Sequence, residues 1–270
     1  MDNFSLSNKV IVVTGGTGIL GQAFINGIAQ AGGAVAILGR NKEIAEQRVA
    51  QLQQNGTKAL ALIADVTIEH ELKAARQLVL DTFGKIDGLV NAAGGNMPGG
   101  IIQPDDSIFS FDMEALRQVI NLNLFGTILP TRIFGEAIAK NGSGSIVNIS
   151  SMASQQAITK VLGYSLAKGA VDTFTKWFAV ELANRYGDRI RSNAIAPGFF
   201  LTEQNKNLLT TPIGSYTERG NLVIDKTPFK RFGAPDELVG ALVWLLSDAS
   251  RFVTGTVITV DGGFSIFSGV

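Results

Sequence analysis

Tyr164 and Lys168 stand four residues apart in Tyr164-Ser165-Leu166-Ala167-Lys168, and Ser151 lies thirteen residues upstream of the tyrosine. On a helix, positions i and i+4 share a face, so a phenol and an ammonium can converge there on one substrate atom. A phenol has a pKa near 10 and is a weak base at neutral pH. An ammonium at roughly 5 Å, with an effective dielectric of about 20, favours the phenolate by about 3 kcal/mol, on the order of two pKa units. The pair therefore reads as a proton donor or acceptor working near neutrality. Ser151 closes the run Ile146-Val147-Asn148-Ile149-Ser150 and can hydrogen-bond a carbonyl or hydroxyl oxygen held between the two. Alone, such a pair is common on helix surfaces. Its meaning comes from the other end of the chain.

Lys9-Val10-Ile11-Val12-Val13-Thr14 is a short β-branched run bounded by polar residues, which predicts a buried strand. It feeds into Gly15-Gly16-Thr17-Gly18-Ile19-Leu20-Gly21 and then a helical stretch over 22–31. Gly16, Gly18 and Gly21 fit G-x-G-x-x-G in the strand–turn–helix setting that this fingerprint needs. Residues without Cβ let the backbone reach a pyrophosphate, which then rests at a helix N-terminus. The next apolar run, Ala34–Leu38, ends at Gly39-Arg40-Asn41. An acidic residue here would bind a free ribose 2′-OH, whereas an arginine suits a 2′-phosphate. No Asp or Glu occupies 39–41 and Arg40 does, which favours NADP over NAD.

The elements that must position these groups recur along the chain. Strand-like runs fall at Val10–Val13, Ala34–Leu38, Lys58–Ile63, Ile86–Val90, Ser145–Ile149, Ile190–Ile195 and Thr256–Val260, with helix-length stretches between most of them. That alternation predicts an α/β fold, a parallel sheet covered on both faces, and strands this apolar are expected when both faces are buried. No linker or repeat divides the 270 residues, so one domain over 1–270 is expected. With 23 basic and 23 acidic side chains the net charge is zero, which argues against electrostatic binding to nucleic acid or an anionic membrane. Cysteine is absent, excluding thiol catalysis and disulfides. No apolar run approaches the ~20 residues of a membrane span, and 1–8 lack the character of a signal peptide, so a cytoplasmic protein is expected. The single histidine, His70, sits between Glu69 and Glu71 and reads as a solvated surface residue, with no metal site implied.

Together these residues resemble the short-chain dehydrogenase/reductase family over essentially the whole chain. Further motifs carry the resemblance: Asp65-Val66 after the third strand, Asn91-Ala92-Ala93-Gly94 after the fourth, Asn123-Leu124-Phe125-Gly126, Pro197-Gly198 with Thr202, and Val260-Asp261-Gly262-Gly263. The resemblance implies a single-domain Rossmann-type doubly wound sheet of about seven parallel strands. It implies catalytic roles for Ser151, Tyr164 and Lys168, with Asn123 holding a water behind the lysine. It implies cofactor contacts from Gly15, Gly16, Thr17, Gly18, Ile19 and Gly21, from Arg40 and Asn41, and from Asp65-Val66, Asn91 to Gly94, Pro197-Gly198 and Thr202, with Tyr164 and Lys168 also contacting the cofactor, the lysine on the nicotinamide ribose. Two departures stand out. The loop is spaced G-x-x-G-x-x-G through Gly15, Gly18 and Gly21, as in longer members, and Ala92 replaces an Asn. At closer range, the segment 197–205 and the tail 262–270 resemble the D-mannonate oxidoreductases, also called fructuronate reductases.

The long connection 199–229 reads as a substrate lid. Phe199 and Phe200 either shield the nicotinamide or anchor this loop. For an acidic sugar, Lys160 is the first candidate cation and Arg231 the second, with Asn96 as polar partner. The alternatives are a β-ketoacyl thioester or neutral polyol as substrate, or a nucleotide-binding sensor without chemistry. The resemblance also implies a homotetramer or homodimer. The apolar stretches 116–133 and 171–182 supply either its interface or core, and Trp177 and Trp244 read as core or subunit packing.

Overall fold

The computed structural model describes residues 3–103, 105–202 and 205–269, so Glu203 and Gln204 of the predicted lid and Val270 of the tail lie outside the described residues. The first half alternates strictly: β1 (Val10–Thr14), α1 (Ile19–Gln30), β2 (Ala34–Gly39), α2 (Lys42–Gln54), β3 (Ala59–Ile63), α3 (Glu69–Phe83) and β4 (Gly88–Asn91). Then follow α4 (Met113–Ile120), a π-helical stretch at Asn121–Phe125, α5 (Gly126–Asn141), β5 (Gly144–Ile149), α6 (Leu162–Tyr186) and β6 (Ile190–Pro197). The chain closes with α7 (Lys206–Leu209), α8 (Glu218–Lys226), α9 (Val239–Leu246) and β7 (Val257–Val260).

Seven strands form one parallel sheet in the order β3-β2-β1-β4-β5-β6-β7. Alternate residues of β1 serve opposite faces, as the two-residue strand period dictates. Ile11 and Val13 join the core with Phe24 and Ile28 of α1 and Leu242 and Leu245 of α9. Val10 and Val12 join the other core with Val79 of α3 and Phe134 and Ile138 of α5. A fully buried side chain such as Phe134 contributes roughly 1.5–3 kcal/mol relative to exposure.

The order reverses between β1 and β4, and at such a switch point the connecting loops diverge and leave a crevice at the C-terminal ends of the strands. Thr14, at the end of β1, fixes its floor: its hydroxyl oxygen accepts from the Ala92 and Ala93 N–H groups, both at 3.1 Å. The turn after β4 is therefore held although Ala stands at 92.

The two candidate aromatic core residues part company. Trp244 is half-buried against the first core, whereas Trp177 is 61% exposed on α6. Helical spacing puts Leu166 and Val180 on the same face, both also exposed. His70 lies on the surface, as expected.

Candidate active site

The glycine loop sits at the crevice. Gly15 adopts φ +65°, and a Cβ there would meet the Ala92 carbonyl at 2.7 Å. A Cβ on Gly21 would lie 2.1 Å from the Gly15 carbonyl oxygen, so this glycine lets α1 close onto the loop. Gly18 differs: its backbone is extended, it is exposed, and a Cβ would touch only Gly15 O, at 3.4 Å. It is the N-cap of α1, with no side chain capping the helix and no acid in its first turn. The first-turn N–H groups therefore face the crevice without an intrahelical acceptor, a setting that suits an anionic pyrophosphate. The residues present thus fit a dinucleotide.

Beyond the C-terminal ends of β2 and β3, Arg40 is exposed and lies 3.6 Å from Asp65 Oδ2. Asp65 Oδ1 accepts from both the N–H and hydroxyl of Thr67. Asn41 caps α2 by accepting from Ile44 N–H at 2.9 Å. A second guanidinium reaches the loop from α2: Arg48 donates to the Gly16 carbonyl and, at 2.9 Å, to Gly18 O.

At the C-terminal ends of β4, β5 and β6, Ser151, Tyr164 and Lys168 come together. Ser151 ends the strand segment and caps a short 3-10 turn, accepting from Ala153 N–H at 3.1 Å. Tyr164 is in the first turn of α6, with Lys168 one turn on and 4% exposed. The ammonium donates to Ile149 O at 2.7 Å and lies over the tyrosine ring, 5.4 Å from its centroid. Burial pulls the lysine down to about 8, with the Asp172 carboxylate acting against it. Burial pushes the Tyr164 phenol above its ordinary value, and the hydrogen bond with Ser151 opposes this. The expected lowering of the phenol by Lys168 is therefore not seen in the resting site. The ammonium lies over the ring face, and desolvation sets the direction of the shift.

Ser151 and Tyr164 line a cavity of ≈ 160 Å³ whose walls also include Asn96, Ile101, Phe199 and Arg219. Arg219, in the first turn of α8, is half-buried and donates to the side chain and carbonyl of Thr159 at 3.2 and 3.3 Å. The Asn96 Oδ1 oxygen is buried without a donor.

A family model described as enoyl-(acyl carrier protein) reductase matches residues 17–265. The chain is also 40% identical over 275 residues to the uncharacterized oxidoreductase UxuB of Bacillus subtilis (strain 168), covering 98% of each. This chain is a short-chain dehydrogenase/reductase. Its structure superposes on that of a Haemophilus influenza protein named as a D-mannonate oxidoreductase, which holds NAD, with a TM-score of 0.90 and 39% identity over 98% of each chain. A gluconate 5-dehydrogenase from Burkholderia cenocepacia J2315, in complex with NADP and tartrate, gives a TM-score of 0.87 at 31% identity, again over 98% of each.

Within this short-chain dehydrogenase/reductase, several predicted residues stand elsewhere than expected. Arg231 is spent on Glu237, through two bonds of 2.7 and 2.6 Å, and faces a different cavity. Lys160 does not line the Ser151–Tyr164 cavity either; it takes φ +76° at the bend before α6, where its carbonyl accepts from Ile102 N–H. Asn123 is fully buried in the π-helical stretch, and its amide brackets Gly95, accepting from its N–H at 2.9 Å and donating to its carbonyl at 2.7 Å. It thereby fixes the loop after β4. The side chain of Asn91 points inward, donating to Thr131 and Asn148 at 2.8 Å each. Phe200 is the anchor, buried in the first core, whereas Phe199 packs at a tilt against Phe264 and lines the cavity. Thr202 and Gly198 also line it, and Gly198 is held by Val260 O.

Three groups carried no readable signal. Arg48 and Arg219 act across 32 and 60 residues of sequence. Asp172 is buried one turn beyond Lys168 and accepts from the hydroxyls of Ser150 and Ser154, on either side of Ser151.

Proposed function

We propose that this short-chain dehydrogenase/reductase interconverts a carbonyl and a secondary alcohol on a sugar acid of the fructuronate/mannonate kind, using NADP in preference to NAD. The observation that carries the reading is the convergence of Ser151 and Tyr164 on one cavity wall, with Lys168 behind the ring, beside the dinucleotide crevice. When bound, the nicotinamide supplies or accepts the hydride. Ser151 orients the substrate oxygen, and Tyr164, kept neutral by burial, donates the proton to it during reduction. Lys168 holds positive charge next to the phenol and would hold the cofactor ribose, and Asn123 keeps the loop after β4 in place.

The sugar-acid assignment is supported by the relatives named for mannonate and gluconate chemistry. The orphaned Asn96 oxygen also supports it, since a substrate hydroxyl can satisfy that acceptor after a small turn of the amide. The described residues of 199–229 serve in this reading as the lid, with α8 carrying one wall. The test is a panel of fructuronate, tagaturonate, 5-ketogluconate, a ketoacyl thioester and a neutral ketone, run with each reduced nicotinamide. Turnover of none of them sinks the reading.

The NADP preference rests on Arg40, whose one ion pair, at 3.6 Å to a half-buried Asp65, is a weak tie for a phosphate to replace. Arg40→Ala is expected to raise KM for NADPH about 10-fold or more while leaving NADH within about twofold. Equal changes for both nucleotides would remove Arg40 from phosphate recognition.

We further propose a homodimer or homotetramer built on the exposed apolar face of α6. Trp177, Val180 and Leu166 are each more than half exposed there, and burying such side chains between subunits is favourable. Trp177→Glu is expected to shift the mass measured by light scattering to that of a monomer, with an unchanged circular dichroism spectrum. A parent protein that is already monomeric at micromolar concentration would refute the assembly.

A further inference from the structure

We propose that Arg219 is the specificity-determining residue of the cavity, binding a substrate carboxylate and so selecting keto and hydroxy acids over neutral carbonyls. The inference deepens the oxidoreductase reading and rests on it for the identity of the cavity. Its own support is the place of the guanidinium on the cavity wall and its bonding to neutral oxygens alone.

Arg219 shares the cavity with Ser151 and Tyr164, among mostly apolar walls that include Ile101, Ile158 and Leu208. Its two bonds go to neutral oxygens of Thr159, at 3.2 and 3.3 Å. Among the described residues no carboxylate offsets its charge, and burial pulls its pKa below the ordinary arginine value. A half-buried, uncompensated cation beside an apolar wall is costly, and an incoming anion removes that cost. A carboxylate is the planar partner a guanidinium binds through two parallel bonds. The competing cations of the sequence are otherwise engaged or elsewhere: Arg231 is paired with Glu237, and Lys160 lies off the cavity. Arg219 also belongs to α8, whereas Thr159 belongs to the segment before α6, so the resting bond joins the two rims of the cavity. A carboxylate bound here replaces that neutral tether with a charged one and fastens α8 over the substrate.

The experiment is calorimetric titration of the NADPH-loaded protein, in which an alcohol has no hydride acceptor, with D-mannonate and with mannitol, which has the same carbon skeleton but no charge. The parent protein is expected to bind mannonate at least about 10-fold more tightly than mannitol. Arg219→Met should weaken mannonate binding about 10- to 100-fold and leave mannitol unchanged, and Arg219→Lys should recover part of the loss. Thr159→Val, which removes the hydroxyl half of the resting tether and leaves the bond to the Thr159 carbonyl, should bind mannonate at least as tightly as the parent. No preference for the acid in the parent protein, or equal losses for both ligands in Arg219→Met, would overturn the proposal. Should Arg219→Met fail to fold by thermal melt, Arg219→Lys and Thr159→Val decide it, since mannonate affinity unchanged in the first and reduced in the second is equally fatal. Arg219-dependent acid binding in a protein that turns nothing over would refute the oxidoreductase reading instead. Turnover of neutral ketones with no preference for acids would refute Arg219 alone.

Discussion

Tyr164→Phe is expected to bind NADP(H) as tightly as the parent protein and to reduce its substrate about 10²- to 10⁴-fold more slowly, the usual worth of a positioned general acid. The substitution deletes one oxygen and keeps the ring. Lys168 stays seated, because its ammonium bonds Ile149 O and rests over the ring face. The fold therefore survives, and the loss reports on proton transfer alone. The charge states set a direction with pH. Burial holds the phenol protonated through the neutral range, while Lys168, drawn down to about 8, is charged below that pH and neutral above it. The reduction rate of the parent protein should thus be level below about pH 8 and decline above it as the neighbouring charge is lost. The residual rate of Tyr164→Phe, lacking the donor, should show no such decline. Steady-state rates across pH, with cofactor affinity by titration, check both statements, and near-parental turnover at neutral pH would strip Tyr164 of its role.

Legibility in the sequence followed the range of each interaction. The strands were readable because a sheet buried on both faces demands runs such as Val10–Thr14 and Ile146–Ile149 without polar alternation. Their ends were less so. Ile86 looks like strand and is buried, yet β4 begins at Gly88, because the sequence marks burial and not ladder pairing. Helix α1 starts at Ile19 rather than near 22, since an extended Gly18 caps it without any side-chain signature. The triad was readable because its chemistry requires a fixed i,i+4 spacing. The sign of the Tyr164 shift was not, because it turns on how far the folded chain buries the phenol. Trp177 shows the same limit on a helix: apolar neighbours on both sides hide which face is covered, and Thr175, two positions away, is the fully buried one. Arg48, Asp172 and Arg219 depend on tertiary neighbours, so no local pattern could announce them.

The glycine loop allows architecture and binding to be separated by two methyl groups. Gly21→Ala would place a Cβ 2.1 Å from Gly15 O and 2.8 Å from Gly16 Cα, backbone against backbone, so α1 and the loop must move apart. Overpacking of this kind costs about 1–3 kcal/mol, or roughly 2–12 °C in Tm for a chain of this size. Because the displaced loop is the one that approaches the pyrophosphate, dinucleotide affinity should fall about 100-fold or more. Gly18→Ala is the contrasting case. Its φ of −83° and ψ of 176° suit alanine, and the nearest atom to the new Cβ is Gly15 O at 3.4 Å, an ordinary contact. The Tm of the cofactor-free protein should stay within about 1 °C, since a strain-free surface change rarely exceeds a few tenths of a kcal/mol. The methyl nevertheless occupies the space through which the backbone approaches an anion at the α1 N-terminus, so affinity should drop about 10- to 100-fold. Thermal melts with and without NADP, together with fluorescence titration of the nucleotide, separate the two outcomes. Undiminished affinity in Gly18→Ala would mean that the pyrophosphate does not lie at this loop, and the crevice between β1 and β4 would lose its assigned ligand.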